Sequence, residues 1–248
     1  MAKHRLYIPE STAKILAHSS IHLDDATRHY ALNVLRLRDA TAIEIFDGNG
    51  NAYRGLLRVK DKRTAMIEVG ETVSSQTESP LRIELIQTLA RGEKMDWIIQ
   101  KAVELGAHSI RPITSERCNV KLDEKRTESR HKHWLGIISN ACEQCGRDTL
   151  PTLHKPTGLN QLTDESTISS KHRWLFHPGT DERLNQQKIE NDDSISILIG
   201  PEGGFSDAEI EMLREASFIP LNMGPRILRT ETAAVASISV IQSLWGDI

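Results

Sequence analysis

Long hydrophobic runs, paired cysteines and an excess of positive charge are all missing from this chain of 248 residues, and each absence removes a class of function. No window approaches the roughly 18 uninterrupted apolar residues of a membrane span. The start, Met1-Ala2-Lys3-His4-Arg5-Leu6-Tyr7-Ile8, lacks the apolar stretch of a secretory signal. A cytoplasmic protein with no membrane partner is therefore expected. The cysteines, Cys118, Cys142 and Cys145, are odd in number and show no disulfide pattern, which agrees with a reducing compartment. Cys142 and Cys145 form a CxxC, yet no second pair stands at zinc-ligand spacing, and the motif falls late in a helical pattern rather than at a helix start. A structural role is expected for it, and no metal.

Hydrophobic residues at 38% and charged residues at 26% are the proportions of an ordinary globular protein with a real core. With a net charge of -3, any nucleic-acid contact must come from local clusters. Arg54, Arg58, Lys60, Lys62 and Arg63 stand against Asp61 alone. Lys121, Lys125, Arg126, Arg130 and Lys132, with His131 and His133, are diluted by Asp123, Glu124 and Glu128, so a solvated helix face explains that segment as well as a phosphate-binding one.

Residues 1–73 read as β-rich. Ala42 to Phe46, the turn signal Asp47-Gly48-Asn49-Gly50 and Ala52 to Val59 predict a hairpin, Thr64 to Val69 a third strand, and Asp24-Asp25-Ala26-Thr27 the capped start of a short helix reaching Leu35. A small barrel-like domain is expected. Residues 74–80 lack apolar period and predict a linker. Residues 81–248 then alternate strands and helices, the signature of an α/β domain with a largely parallel sheet. Leu81 to Leu89, Ser109 to Ile113, Arg173 to Phe176, Ser194 to Ile199 and Phe218 to Leu221 are the strands. Met95, Ile98, Ile99, Ala102 and Val103 give one helix its buried face, Trp134 to Cys145 stripe another from about Glu128, and Ala234, Val235, Ile238, Ile241 and Leu244 a last one. Leu159 to Ser170 and Asp181 to Asp193 predict loops.

Chemistry points to two irregular loops. Gly200-Pro201-Glu202-Gly203-Gly204 ends the apolar strand through Ile199 and precedes Ser206 and Glu209 at capping-box spacing. Ligands in open α/β sheets bind at such strand ends, where glycines bring backbone amides close to them. The segment is neither GxGxxG nor GxxxxGK[ST], which argues against a dinucleotide fold and a P-loop. The second loop, Met223-Gly224-Pro225-Arg226-Ile227-Leu228-Arg229-Thr230-Glu231, opens a helix that Thr230 or Glu231 can cap. Two such loops at adjacent strand ends, one holding two arginines and a glutamate, predict a pocket.

The segments Gln87 to Asp96, Gln100 to Gly106, Ser115 to Cys118, Ala141 to Arg147, Ile199 to Gly204 and Gly224 to Ala234, in this order and spacing, resemble the RsmE family of bacterial 16S ribosomal RNA uridine-N3 methyltransferases of the SPOUT class. The resemblance covers the chain. It implies a PUA-like RNA-binding β-barrel over residues 1–73, a SPOUT α/β domain with a C-terminal trefoil knot over 81–248, a homodimer, and 16S RNA in the small ribosomal subunit as partner. It implies S-adenosylmethionine as cofactor, held by Leu175, Phe176, His177, Ile199, Gly200, Pro201, Glu202, Gly203, Gly204, Leu221, Met223, Gly224, Ile227, Leu228, Arg229, Thr230 and Ala233. Arg229, Arg226, Arg91 and Arg147 are the candidates to stabilise the uracil anion, Arg91 and Arg147 also joining Arg54, Arg58 and Lys60 as RNA contacts. Glu231 is the nearest carboxylate to serve as base, with Glu202 behind it, although helix capping explains Glu231 as well. A transferase of the same class acting on ribose or guanine, and a non-catalytic RNA-binding assembly factor, are the alternatives.

Overall fold

The computed structural model describes residues 4–9, 13–61, 63–120, 123–163, 167–190 and 193–248. Lys62 and Lys121 of the basic clusters, residues 1–3 of the start, and residues 164–166 and 191–192 of the expected loops lie outside the described residues. The backbone packs as two units, Met1–Glu78 with Ser139–Leu150 and Ser79–Ile138 with Pro151–Ile248.

In the first unit the elements are β1 (His4–Tyr7), β2 (Ser20–His22), α1 (Asp25–His29), β3 (Ala42–Phe46), β4 (Ala52–Asp61) and β5 (Thr64–Val73), and the strands form one sheet in the order β1-β3-β4-β5-β2. The hairpin of β3 and β4 is antiparallel as its turn residues predict, and Asp47 Oδ1 accepts from the backbone N–H groups of Asn49 and Asn51 to hold that turn. A Cβ on Gly55 would meet Ile67 Cγ2 at 2.7 Å, so glycine there lets β4 lie flat against β5. Asp24 caps α1 by accepting from Thr27 N, and one wider helical turn, Tyr30–Val34, continues it. β1 and β2 carry no sequence signal: β1 is short, charged, and parallel to a strand far along the chain.

Segment 139–150 supplies this unit with polar anchors. Glu143 accepts from Tyr7 N at 2.9 Å and from Tyr30 Oη at 2.8 Å, while Arg5 pairs with Glu44 and Asp148, each at 2.5 Å. The predicted linker is correspondingly bonded rather than loose, with Ser75 donating to Asp148 and Glu78 paired with Arg147 at 2.6 Å. Cys142 is buried and its thiol is pushed up to about 12 by loss of solvent, against the pull of Arg147. A thiol so placed is inert, the structural role read from the sequence.

The second unit contains β6 (Arg82–Thr88), α2 (Lys94–Glu104), β7 (Ser109–Thr114), α3 (Glu124–Cys145), β8 (Thr152–Leu153), β9 (Thr157–Gly158), β10 (His172–Phe176), β11 (Ser194–Ile199), α4 (Asp207–Glu215), β12 (Ile219–Leu221) and α5 (Thr230–Trp245). The last turns of α3 belong to the first unit. The sheet runs β12-β10-β11-β6-β7-β8, with β9 also on β7, and every pairing is parallel. β11 is buried over Ile195 to Ile199, as its unbroken apolar sequence predicts for a central parallel strand. Parallel pairing puts the ends of β10, β11 and β12 along one edge.

The helices follow their apolar periods with three corrections. α2 buries the five residues expected. α3 starts at Glu124 rather than near Glu128, because Asp123 accepts from Arg126 N at 2.8 Å and offers a start one turn earlier. Leu244 of α5 is 47% exposed, and the buried position near that helix end belongs to Gln242. Gln242 donates to Leu105 O at 2.9 Å and accepts from Ser79 Oγ at 2.8 Å, so its amide is satisfied where an apolar residue was expected. Third, α5 is capped by neither Thr230 nor Glu231: its N-cap position is Arg229, which makes no side-chain cap bond.

The Glu143 carboxyl is raised above its ordinary value by burial, opposed by the bonds from Tyr7 and Tyr30 and by Arg5. A carboxyl raised in the folded state favours folding fully below the unfolded value of about 4.3 and loses that contribution as pH rises through the folded value. Glu143→Gln should therefore flatten the fall in stability above about pH 4, read as urea midpoints at successive pH values. Equal slopes in both chains would remove Glu143 as the source. Ser206→Ala should cost about 1 kcal/mol in the same assay, because Ser206 Oγ and Glu209 form a complete capping box at the start of α4.

Candidate active site

At the edge where β10, β11 and β12 end, a cavity of about 450 Å³ opens between the two irregular loops. Its walls are Phe176 at the end of β10 with His177 and Pro178, Ile199 at the end of β11 with Gly200 to Phe205, and Leu221 at the end of β12 with Asn222 to Gly224, Arg226 to Arg229, and Thr230 and Ala233 of α5. The expected residues Phe176, His177, Ile199, Gly200, Pro201, Glu202, Gly203, Gly204, Leu221, Met223, Gly224, Ile227, Leu228, Arg229, Thr230 and Ala233 are thus brought together. The side chain of Leu175 does not join the wall: it is fully buried in the core with Ile86, Leu198 and Phe218, since alternation along β10 turns it to the opposite face from Phe176, and only its backbone stands next to the cavity residues.

The first loop is shaped by what its backbone must pass. A Cβ on Gly200 would lie 2.9 Å from Phe205 Cε2, and the second loop turns at Gly224 with a φ of +101° that only glycine adopts without strain. Thr230 fixes the two loops to each other. Its hydroxyl donates to Gly200 O at 2.8 Å and accepts from Gln87 Nε2 of β6 at 2.9 Å, in a setting where Gln87 is fully buried and Thr230 nearly so. From the β7–α3 connection Arg117 donates to Gly203 O at 3.2 Å. Glu209 accepts from Ser206 N at 2.9 Å and from Glu116 N at 2.7 Å, so the capping carboxylate of α4 also holds that connection. In the second loop Gly224 N donates to Asn222 Oδ1 at 3.0 Å.

Charged side chains gather at the cavity. Lys94 Nζ, at the start of α2, lies 3.0 Å from Glu202 and 3.4 Å from Glu231. The Glu202 carboxyl is held below its ordinary value: burial opposes this, while its own backbone N–H, Lys94 and Arg91 outweigh burial. Glu231, expected as the nearer carboxylate, does not line the cavity, whereas Glu202 does. Arg226 and Arg229 line it and are exposed, and Ile227 beside them is 83% exposed. The His177 imidazole is lowered below its ordinary value by burial and by Arg214, with Asp207 opposing the shift. His177 also borders a second cavity with Asp181, Asp207, Glu211 and Arg214.

The remaining candidates lie elsewhere in the chain. Arg91 is exposed and acts electrostatically on Glu202. Arg147 does not line the cavity: it is 3% exposed and its guanidinium pairs with Glu78 at 2.6 Å. On β4, Arg54 and Lys60 are exposed, while Arg58 is paired with Glu68 at 2.9 Å. Lys94, Gln87 and Arg117 are the residues that sequence reasoning did not single out. All three sit inside recognisable segments, but their partners lie far along the chain, and spacing carries no signal for such pairs.

The sequence matches the RNA methyltransferase domain family over residues 77–242 and the RNA methyltransferase PUA domain family over residues 23–69. It is 35% identical to the ribosomal RNA small subunit methyltransferase E of Buchnera aphidicola subsp. Schizaphis graminum, over 92% of each chain. With the Bacillus subtilis protein of the same name it shares 30% identity over 88% of this chain and 90% of the other. Among solved structures, the ribosomal RNA small subunit methyltransferase E of Neisseria gonorrhoeae bound to S-adenosyl methionine superposes with a TM-score of 0.90 at 35% identity, over 99% of each chain. A methyltransferase of Legionella pneumophila in complex with the same cofactor gives 0.94 at 32% identity, over 100% of each chain. Similarity of this extent, running through both domain matches and both loops of the cavity, makes the chain a member of the ribosomal RNA small subunit methyltransferase E family.

Proposed function

We propose that this protein transfers a methyl group from S-adenosylmethionine to N3 of one uridine in 16S ribosomal RNA, on the assembled small subunit, as a cytoplasmic homodimer. The observation that carries this reading is the cavity between the two glycine loops, in a chain that superposes end to end on relatives solved with that cofactor. The walls fit such a group: the volume of about 450 Å³ suits a nucleoside-sized ligand, Gly200 packs against Phe205 without a side chain of its own, Gly224 turns the second loop at positive φ, and Phe176, Ile199, Leu221 and Leu228 supply apolar contact. Backbone groups of Gly200 to Gly204 and of Leu221 to Gly224 would hold it. When bound, S-adenosylmethionine supplies an electrophilic methyl group.

The protein's own task is to place the uracil and manage its proton. N3 carries a hydrogen that must leave before its lone pair can form the new bond, and the resulting charge spreads onto the ring carbonyl oxygens. Arg229, with Arg226 beside it, is the cation in the cavity wall that would stabilise that charge. Glu202 is the carboxylate in the wall and, held ionised, would take the N3 proton; Glu231 stands behind it across Lys94. Arg91 is exposed close enough to act on Glu202 and would meet the RNA there.

The larger reading includes a SPOUT-type trefoil knot in the C-terminal unit. Supporting it, β10 lies between β11 and β12, two strands that both follow it in the chain. Val240 and Leu244 of α5, 40% and 47% exposed, offer an apolar surface that a second copy would cover. Arg54 and Lys60 on the exposed side of β4 would contact RNA phosphates, with Arg58 contributing less while Glu68 holds it.

Mass spectrometry of 16S RNA from a strain lacking the protein should show the loss of one N3-methyluridine, and an unchanged modification profile would overturn the reading. Arg229→Ala should lower turnover by on the order of a hundredfold with cofactor affinity, measured by calorimetry, close to that of the parent. Parent-like turnover would remove Arg229 from the chemistry. Neutralising Arg54, Arg58 and Lys60 together should weaken RNA binding and reduce the slope of log affinity against log salt by about 0.7 for each phosphate no longer neutralised. An unaltered slope counts against that surface.

A further inference from the structure

We propose that Lys94 is a positioning residue for the reaction: its ammonium, bridging Glu202 and Glu231, fixes the cavity-lining carboxylate at the place where the substrate proton is received. The inference rests on the methyltransferase reading and assigns a task to a residue that touches neither loop's backbone. Three parts of the fold meet at this ammonium. Lys94 stands in the first turn of α2, Glu202 in the loop after β11, and Glu231 in the first turn of α5.

Stability does not account for the arrangement. The Lys94 and Glu202 side chains are each 36% exposed, and an ion pair so open to water contributes little to folding. Glu202 is also the one member of the three that lines the cavity. Without the ammonium, Glu202 would lose its 3.0 Å partner, leaving Arg91 as the other cation that acts on it, and its carboxylate would be free to turn away or to bind a proton more readily. The backbone of the loop has separate supports, Thr230 on Gly200 and Arg117 on Gly203, so loss of Lys94 acts on the carboxylate and not on the seat of the cofactor. The other cation acting on Glu202 is Arg91 from the β6–α2 connection, and Arg226 and Arg229 line the same cavity. Among the described residues the ion pair to Glu231 comes from Lys94, which thereby links both carboxyls.

Lys94→Met keeps the aliphatic stem and removes the charge, and Lys94→Arg restores it. In the cofactor-free protein labelled with 13C-carboxyl glutamate, the Glu202 resonance should titrate at higher pH in Lys94→Met than in the parent, and return toward the parent in Lys94→Arg. Single-turnover methyl transfer should fall by about tenfold to a hundredfold in Lys94→Met, with cofactor affinity and the thermal midpoint near those of the parent, and Lys94→Arg should recover part of the rate. An unmoved Glu202 titration, an unchanged rate, or a rate loss matched by an equal loss of cofactor affinity would each overturn the proposal. Failure of the parent itself to methylate small-subunit RNA would instead refute the reading beneath it, since the carboxylate titration needs no turnover.

Discussion

One hydroxyl group sets the geometry on which the cavity depends. Thr230 receives a hydrogen bond from Gln87 in the core of the sheet and gives one to the carbonyl of Gly200, so β6, the loop after β11 and the first turn of α5 are located by a single buried chain of donors and acceptors. In a dry setting such a chain is demanding, because a missing member leaves its neighbours unpaired at a cost of roughly 1–3 kcal/mol. The glycines on either side can then adopt the conformations that open the cavity without becoming loose. Helix capping, the role that the sequence suggested for Thr230, would have used the same oxygen for a purely local bond.

Around this fixed point the walls divide their labour. Backbone atoms from the two loops and apolar side chains from the strand ends make a surface suited to a nucleoside, while Glu202, paired with Lys94, and Arg226 with Arg229 supply its charges. From the β7–α3 connection, Arg117 braces the first loop at Gly203, and Glu116 N donates to Glu209 at the start of α4. Preorganisation of this kind lets exposed arginines act at a cavity whose frame does not depend on them.

Much of this was legible in the residues. The buried face of α2, the central strand β11 and the capping box of Ser206 and Glu209 follow from local rules, since each is decided by neighbours three or four positions away or by an unbroken apolar run. The cavity wall was legible because glycine-rich turns after apolar strands have few other uses, and because the family resemblance supplied the strand end at Phe176 and His177. What escaped was decided by partners distant in sequence. Arg147 lies in a recognisable segment and reads as an active-site cation, yet Glu78 claims it; β1 has no hairpin to announce its pairing with β3; Leu244 fits the apolar period of α5 but Gln242 fills the interior in its place. The trade between Glu202 and Glu231 is of the same kind, because the direction a side chain takes at a loop is not written in its spacing.

Segment 139–150, assigned to the first unit, has a temporal meaning. Translation delivers the residues up to Glu78 long before Glu143 and Asp148 leave the ribosome, and until they do the backbone N–H of Tyr7 and the guanidinium of Arg5 lack the acceptors that complete their environment. The N-terminal β-structure has its own apolar core between Leu6 and Val69, so what arrives late is its set of polar anchors and not its interior. Its completion waits on nascent chain that emerges only after β6, α2 and β7 have been made, so the N-terminal part of the enzyme is finished while the catalytic part is already under construction.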